Sequence, residues 1–223
     1  QERIDSERIN YEKKIDTEKQ KWENTLIRTQ NSTIKGQDGE SYLFNQLNLL
    51  FPKAEIEDTH KIPHRGDFIM REKDFIMMVE NKNYSKNVQK SEVYKFYIDI
   101  DNPSNKDLQC AVFTSLHTGI CNKSDYEFEV RNGIPILFLH NVQNDMQSIK
   151  LSVKFFKLIL SQKDLDLSNK EIVGSMKIIG LSMKRNYTKQ RNKLDKYHSE
   201  QTKLLSEQEA YTEELFKLFN TKY

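Results

Sequence analysis

The chain has 223 residues, with 35 Lys plus Arg against 33 Asp plus Glu and a formal net charge of +2. Hydrophobic residues make up 36% and charged ones 30%, thin for a single compact globule, so part of the chain is expected to be elongated and solvated. Near-neutrality does not announce a nucleic-acid binder, no apolar run approaches the roughly 18 residues that span a bilayer, and the opening residues do not read as a signal peptide. A soluble, intracellular protein with no membrane partner is expected. Cys110 and Cys121 lack CxxC spacing and the five histidines are scattered, which argues against a disulfide framework or a zinc site.

All four prolines fall between positions 52 and 135, so both ends read as long helices and the middle as the compact domain. Over 1–34, Ile4, Tyr11, Ile15, Trp22 and Leu26 recur every three or four residues or at their multiples, among Glu, Lys and Arg. That spacing predicts a coiled-coil helix. The segment also starts inside a helical pattern without Met, which reads as part of a longer protein.

Residues 35–145 alternate in character. The pattern predicts a helix over 39–50, an extended piece at 54–58 and turns around 63–66. A hairpin of 67–70 and 75–82 follows, then a helix over 89–100. A buried strand at 110–116, a short helix at 125–131 and a strand at 134–140 complete the series. This order predicts an α/β domain with a mixed sheet, antiparallel in its first half and parallel later.

Residues 146–223 are expected to be helical. Ile149, Val153, Phe156 and Leu160 form one stripe over 147–160. A long helix follows from about 175, with Met176, Met183, Tyr187, Leu194, Tyr197, Leu204, Tyr211, Leu215 and Leu218 on a heptad seam. Gly180, Gln190, Gln201 and Gln208 hold the remaining seam positions. Neither terminal helix has a stripe wide enough for a globular core, so each needs a partner. The choices are the other arm, antiparallel, or the same helices of a second copy in a homodimer.

The hairpin carries the chemistry. If 71–74 form a four-residue loop, Met70 faces Phe75 and Asp67 faces Met78. Period two then puts Asp67, Met78, Glu80 and Lys82 on one face, with Glu80 the diagonal neighbour of Asp67 at roughly 7 Å between Cβ atoms. The other face, Phe68, Met70, Phe75, Met77 and Val79, is apolar, so the pair belongs inside a covered sheet. An Asp, a Glu and a Lys at one end of it are costly unless they neutralise one another or bind a cation. Carboxylates converging from neighbouring strands offer hard oxygens to Mg²⁺ or Mn²⁺, with the Asn81 carbonyl as a further ligand. Such a metal polarises a phosphodiester and acidifies a bound water, while the Lys82 ammonium orients that water.

Asp67, followed after twelve residues by Glu80-Asn81-Lys82, resembles the signature of the PD-(D/E)XK nuclease superfamily. Gly66 stands where that motif carries proline. Upstream, Lys35-Gly36-Gln37-Asp38-Gly39-Glu40 resembles the Gly-x-x-Gly-Glu opening of the first helix in nuclease-related domains and RmuC-type recombination proteins. The latter also join this domain to long coiled coils. The resemblance covers about 35–142. It implies a restriction-endonuclease-like fold, a mixed-sheet core flanked by helices, and Mg²⁺-dependent hydrolysis of DNA. It further implies Asp67 and Glu80 as metal ligands, Glu40 joining them, and Lys82 as a catalytic residue. Context separates this motif from Glu12-Lys13-Lys14, another Glu-x-Lys that lies in a solvated helix.

Further candidates are DNA-phosphate contacts. Arg65 precedes Gly66-Asp67, and Lys90 opens the helix after the hairpin. Lys184, Arg185, Lys189 and Arg191 lie in a basic stretch whose single acid is Asp195, before acids return beyond 198. Each has a plain alternative as solvated charge. The rival class is a non-enzymatic coiled-coil scaffold whose nuclease-like core only binds DNA or a partner, and the same residues would also serve on RNA.

Overall fold

The computed structural model describes residues 32–73, 75–162 and 165–220. Its elements are α1 (Ser32–Leu50), β1 (Glu55–Asp58), β2 (Phe68–Glu72), β3 (Phe75–Lys82), α2 (Lys90–Ile100), β4 (Cys110–Ser115), β5 (Glu127–Arg131), β6 (Ile134–Leu139), α3 (Gln147–Leu160) and α4 (Lys170–Asn220). The strands form a six-stranded mixed sheet in the order β1-β2-β3-β4-β6-β5. β1, β2 and β3 run antiparallel to their neighbours, β3, β4 and β6 are parallel, and β5 returns antiparallel at the far edge. The sheet therefore changes from antiparallel to parallel at β3.

Alternation explains the layers. Ile69, Met78, Ala111, Phe113, Ile136 and Phe138 lie on one face and pack against Val93, Phe96 and Ile100 of α2. On the opposite face the Phe68 ring sits 5.9 Å from Phe44 of α1, and Phe128 sits 5.5 Å from Phe155 of α3. β3 and β4 are buried along nearly their whole length, as strands covered on both sides must be.

Three expectations need correcting. First, 125–131 is not a helix: Glu127–Arg131 is strand β5. Asn132 and Gly133 have φ of 50° and 81°, and Arg131 pairs with Ile134 across them. This is the Asn-Gly two-residue hairpin, whose twist matches that of the flanking strands. Second, the central hairpin is two residues out of the expected register. Glu72 pairs with Phe75 and Met70 with Met77, so only positions 73 and 74 separate the strands. The faces survive, because a shift of two preserves parity. Third, α1 begins at Ser32 rather than 39 and runs through the expected boundary at 34/35.

The chain divides into two units between Lys177 and Ile178. α3 belongs to the first unit, with Ile149, Val153, Phe155, Phe156 and Ile159 buried. α4 is 51 residues long, about 75 Å at 1.5 Å per residue. Asn169 caps its start, its Oδ1 accepting the Glu171 N–H at 2.9 Å. The N-terminal arm expected over 1–34 lies, but for its last three positions, outside the described residues. Among those described, no helix is long and apolar enough to cross a membrane.

Candidate active site

The charged cluster sits where β3 leaves the sheet. The β2–β3 ladder ends at Phe68–Val79. Just beyond it, Asp67 donates its N–H to the Val79 carbonyl at 3.1 Å and accepts the Asn81 N–H on Oδ2 at 2.7 Å. Asp67 thus abuts the 79–81 stretch instead of facing Met78, and the expected diagonal spacing to Glu80 is replaced by closer apposition. Because N–H and C=O of one strand residue share an edge, the Asn81 carbonyl lies on the Asp67 side of β3.

The turn before Asp67 is pinned from several directions. Gly66 has φ of +64°, and a Cβ there would come within 2.8 Å of Met78 Cγ. Proline, locked near −65°, cannot adopt that angle, so glycine at the motif's proline position is a backbone requirement here. Fully buried Thr59 donates its hydroxyl to the carbonyl of Gly66 at 3.0 Å, and its N–H reaches the Asp67 carbonyl at 2.9 Å. Buried Asn105 donates through Nδ2 to the carbonyls of His64 and, at 2.7 Å, Asp99. His64 Nδ1 in turn lies 2.8 Å from Asp99 Oδ1.

Glu80 and Lys82 project toward α2. Lys82 Nζ lies 2.5 Å from Glu80 Oε1 and 3.9 Å from Glu92 Oε2 on the first turns of α2. Asp67 and Glu80 are each only 8% exposed. Burial, then the Glu80 charge, then Glu40 push the Asp67 carboxyl from an ordinary 3.8 up to about 8, against the pull of Lys82 and the Asn81 N–H. Glu80 is also raised, chiefly by burial, with Asp99 and Glu92 adding and Lys82 opposing. Burial works against the Lys82 ammonium, but Glu80, Asp67 and Glu92 outweigh it and hold the proton more tightly than usual.

α1 supplies the last acid. Gly39 is buried, and a Cβ there would meet Asn83 Nδ2 at 2.6 Å, so its bare backbone lets α1 approach the segment leaving β3. That approach puts Glu40 beside Asn81, Lys82, Asn83 and Tyr84 in the wall of a cleft of about 430 Å³. His60 lines the same cleft, its Nδ1 held by Asp58 Oδ1. A second hollow of about 500 Å³ shares Gln37, Glu40 and His60 with it.

The fold therefore gathers Asp67, Glu80, Lys82, Asn81 and Glu40 at one strand end. Asn81, Lys82 and Glu40 line the cleft, while Asp67, Glu80, Arg65 and Lys90 are not in its wall. Arg65 donates to the Ser104 carbonyl at 3.4 Å, and Lys90 is exposed at the start of α2. Lys184, Arg185, Lys189 and Arg191 belong to the second unit, where Arg191 lies 3.6 Å from Asp195 and Lys184 sits 6.0 Å from the Tyr187 ring. Sequence reasoning missed Glu92, Asp99 and His60. Glu92 was within reach, since it stands in the first turn of a helix whose Val93 and Phe96 face the sheet. The contacts of Asp99 and His60 depend on loop paths that no periodicity encodes.

Among the described residues, no three of His, Cys, Asp and Glu are grouped closely enough to form a ready cage for a metal ion. The donors nonetheless suit Mg²⁺, which keeps several waters and takes few protein ligands: two carboxylates and a strand-edge carbonyl, all hard oxygens. The charge balance fits as well. Asp67 and Glu80 are buried beside one ammonium, Lys82, and burial with the Glu80 charge raises the Asp67 carboxyl, so a cation there would have to displace its proton. Comparison with protein-family models, with curated proteins and with solved structures gave no match for this chain.

Proposed function

We propose that this chain is a metal-dependent nuclease of the restriction-endonuclease-like, PD-(D/E)XK kind, acting on DNA inside the cell and dimerising through its coiled-coil arms. The observation that carries the reading is the convergence of Asp67, Glu80 and Lys82 at the end of buried strand β3, with Glu40 brought in by Gly39. Burying an Asp, a Glu and a Lys together at the end of a strand covered on both sides opposes folding unless the site is used.

Asp67, Glu80 and the Asn81 carbonyl would hold Mg²⁺ or Mn²⁺, with Glu40 joining them. The bound cation supplies Lewis-acid polarisation of the phosphodiester and a more acidic water. Lys82 stays protonated in its ring of carboxylates, so it acts as a donor: its N–H bonds orient the attacking water and offset charge on the phosphoryl oxygens. Asn81 and Thr114 hold the strand end still, Thr114 Oγ1 donating to Asn81 Oδ1 at 2.9 Å and to the Glu80 carbonyl at 3.1 Å. The cleft wall offers Tyr84, 40% exposed, as a surface on which a base can stack.

One observation favours a second reading. Glu80 is already neutralised by Lys82, the arrangement a structural ion pair would have, and a nuclease-like core that binds without cutting would keep it. The two are separated by incubating linear, circular, single-stranded and branched DNA, and an RNA of matched sequence, with Mg²⁺ or Mn²⁺. Cleavage is expected, at least 100-fold reduced in Asp67→Ala and Lys82→Ala on the scale of a lost electrostatic stabiliser. Undiminished cleavage by both purified variants refutes the assignment, and binding without cleavage by the parent supports the scaffold. Cleavage of the RNA alone moves the substrate class.

A further inference from the structure

The seam of the second unit carries information about direction as well as pairing. Leu194, Tyr197, Leu204, Tyr211 and Leu215 of α4 are between 46% and 64% exposed, and Gln190, Gln201 and Gln208 are exposed beside them. Leu194, Gln201, Gln208 and Leu215 occupy one core position of the heptad, and Met183, Gln190, Tyr197 and Leu204 the other. Along the same helix the charge divides: bases dominate 184–196, and Glu200, Glu207, Glu209, Glu213 and Glu214 follow.

We propose that α4 pairs with α4 of a second copy in antiparallel orientation, about a twofold axis at Ser199, so that positions equidistant from Ser199 lie level. The inference extends the dimer reading above and does not depend on the nuclease reading. In this register Leu194 meets the partner's Leu204, Met183 meets Leu215, and Gln190 meets Gln208. Tyr197 meets Gln201, a pair that already hydrogen-bonds within one helix at 3.0 Å. Each amide therefore finds a polar neighbour, which a buried amide requires. Sliding one heptad in one direction sets Gln201 against Leu204 and Leu215 against Gln190. Sliding the other way sets Gln208 against Met183.

A parallel, in-register pair would also match each Gln with itself, and charge separates the two arrangements. Parallel helices bring the basic stretch beside its own copy and the acidic stretch beside its own. Antiparallel helices lay base along acid and oppose the two helix dipoles. Lys193, Glu200 and Glu207 occupy the heptad position that faces its own kind across an antiparallel pair, so the axis creates the Lys193–Glu207 contact twice and sets Glu200 against its own copy once.

The test uses the full chain carrying Cys121→Ser, with fully buried Cys110 left in place. Under mild oxidation Leu194→Cys plus Leu204→Cys in one chain should give a disulfide-linked dimer on a non-reducing gel, while either substitution alone should not. Crosslinking of each single variant as readily as the double one establishes a parallel pair and overturns the proposal. Light scattering that finds the parent chain monomeric at tens of micromolar overturns it as well, including the case in which 1–31 cover the seam. Glu207→Lys should raise the dimer dissociation constant roughly tenfold through two like-charge contacts, and Lys193→Glu with Glu207→Lys should restore it. A charge swap that restores nothing counts against this register.

Discussion

Replacing Asp67 by Asn separates the energetic burden of the site from its chemistry. The Asp67 carboxyl ionises near 3.8 in an unfolded chain and near 8 in the folded one. Between those values the folded state holds a proton that the unfolded state has released, so stability falls as pH rises through this window, and the loss is complete above about 8. The slope approaches about 1.4 kcal/mol per pH unit, so between about pH 5 and pH 7 the metal-free protein should lose about 3 kcal/mol from this group. Glu80, raised for the same chief reason, adds loss of the same sign. Asn is isosteric, can still accept the Asn81 N–H, and carries no proton to release. Asp67→Asn should therefore flatten most of the pH dependence and be the more stable protein at neutrality, while losing cleavage. Urea unfolding in EDTA at several pH values measures this directly. Parallel stability curves for parent and variant, differing by less than about 1 kcal/mol across the window, would show that Asp67 is not strained by burial.

Two more perturbations bear on the same site. Millimolar Mg²⁺ or Mn²⁺ should raise the melting temperature of the parent more at about pH 8.5 than at about pH 6, because the ion must displace the Asp67 proton, and should do little for Asp67→Ala. Equal shifts at both pH values would remove Asp67 from the ligand set. The two glycines of the α1 opening should respond in opposite directions. Gly39→Ala drives a methyl into Asn83 and should cost about 1–3 kcal/mol together with activity. Gly36→Ala has nothing within 4 Å of the new carbon and should stabilise the helix by up to about 1 kcal/mol. Thermal melts with a cleavage assay on each check both.

The legible features were those set by periodicity. The mixed sheet, its antiparallel-to-parallel order, the two faces of the hairpin and the long C-terminal helix all follow from spacing that burial enforces, as Met70, Met77 and Val79 on one face illustrate. Turn chemistry misled where it was read too loosely. Four polar residues at 71–74 suggested a four-residue loop, yet Arg71 and Glu72 stay in the ladder, each opposite an apolar residue of β3. Glu127-Phe128-Glu129-Val130 alternates with period two and runs into Asn132-Gly133, a hairpin signal that the expected helix at 125–131 overlooked. At the site, Asp67, Glu80, Lys82 and Glu40 were visible because motif spacing on strands and helix starts is local. Asp99, Thr59 and Asn105 reach it only through tertiary folding, so no pattern in the chain marks them, whereas Glu92 is marked by its place in the first turn of α2.

The carboxylates around β3 also set an order of arrival. Glu40, Asp67, Glu80, Glu92 and Asp99 all act electrostatically on a cluster whose buried ammonium is Lys82, with Lys95 paired to Glu92 at its exposed side. Without a divalent ion, a polyanion approaching this strand end meets charge of its own sign. With one seated, two of those negative charges would be offset and the repulsion would fall. On the proposed reading, occupancy by cation and by nucleic acid would be thermodynamically linked, each raising the affinity for the other by the same factor. Such a site would behave as a small ion exchanger. Nucleic-acid affinity should climb with magnesium over the range where added monovalent salt weakens it.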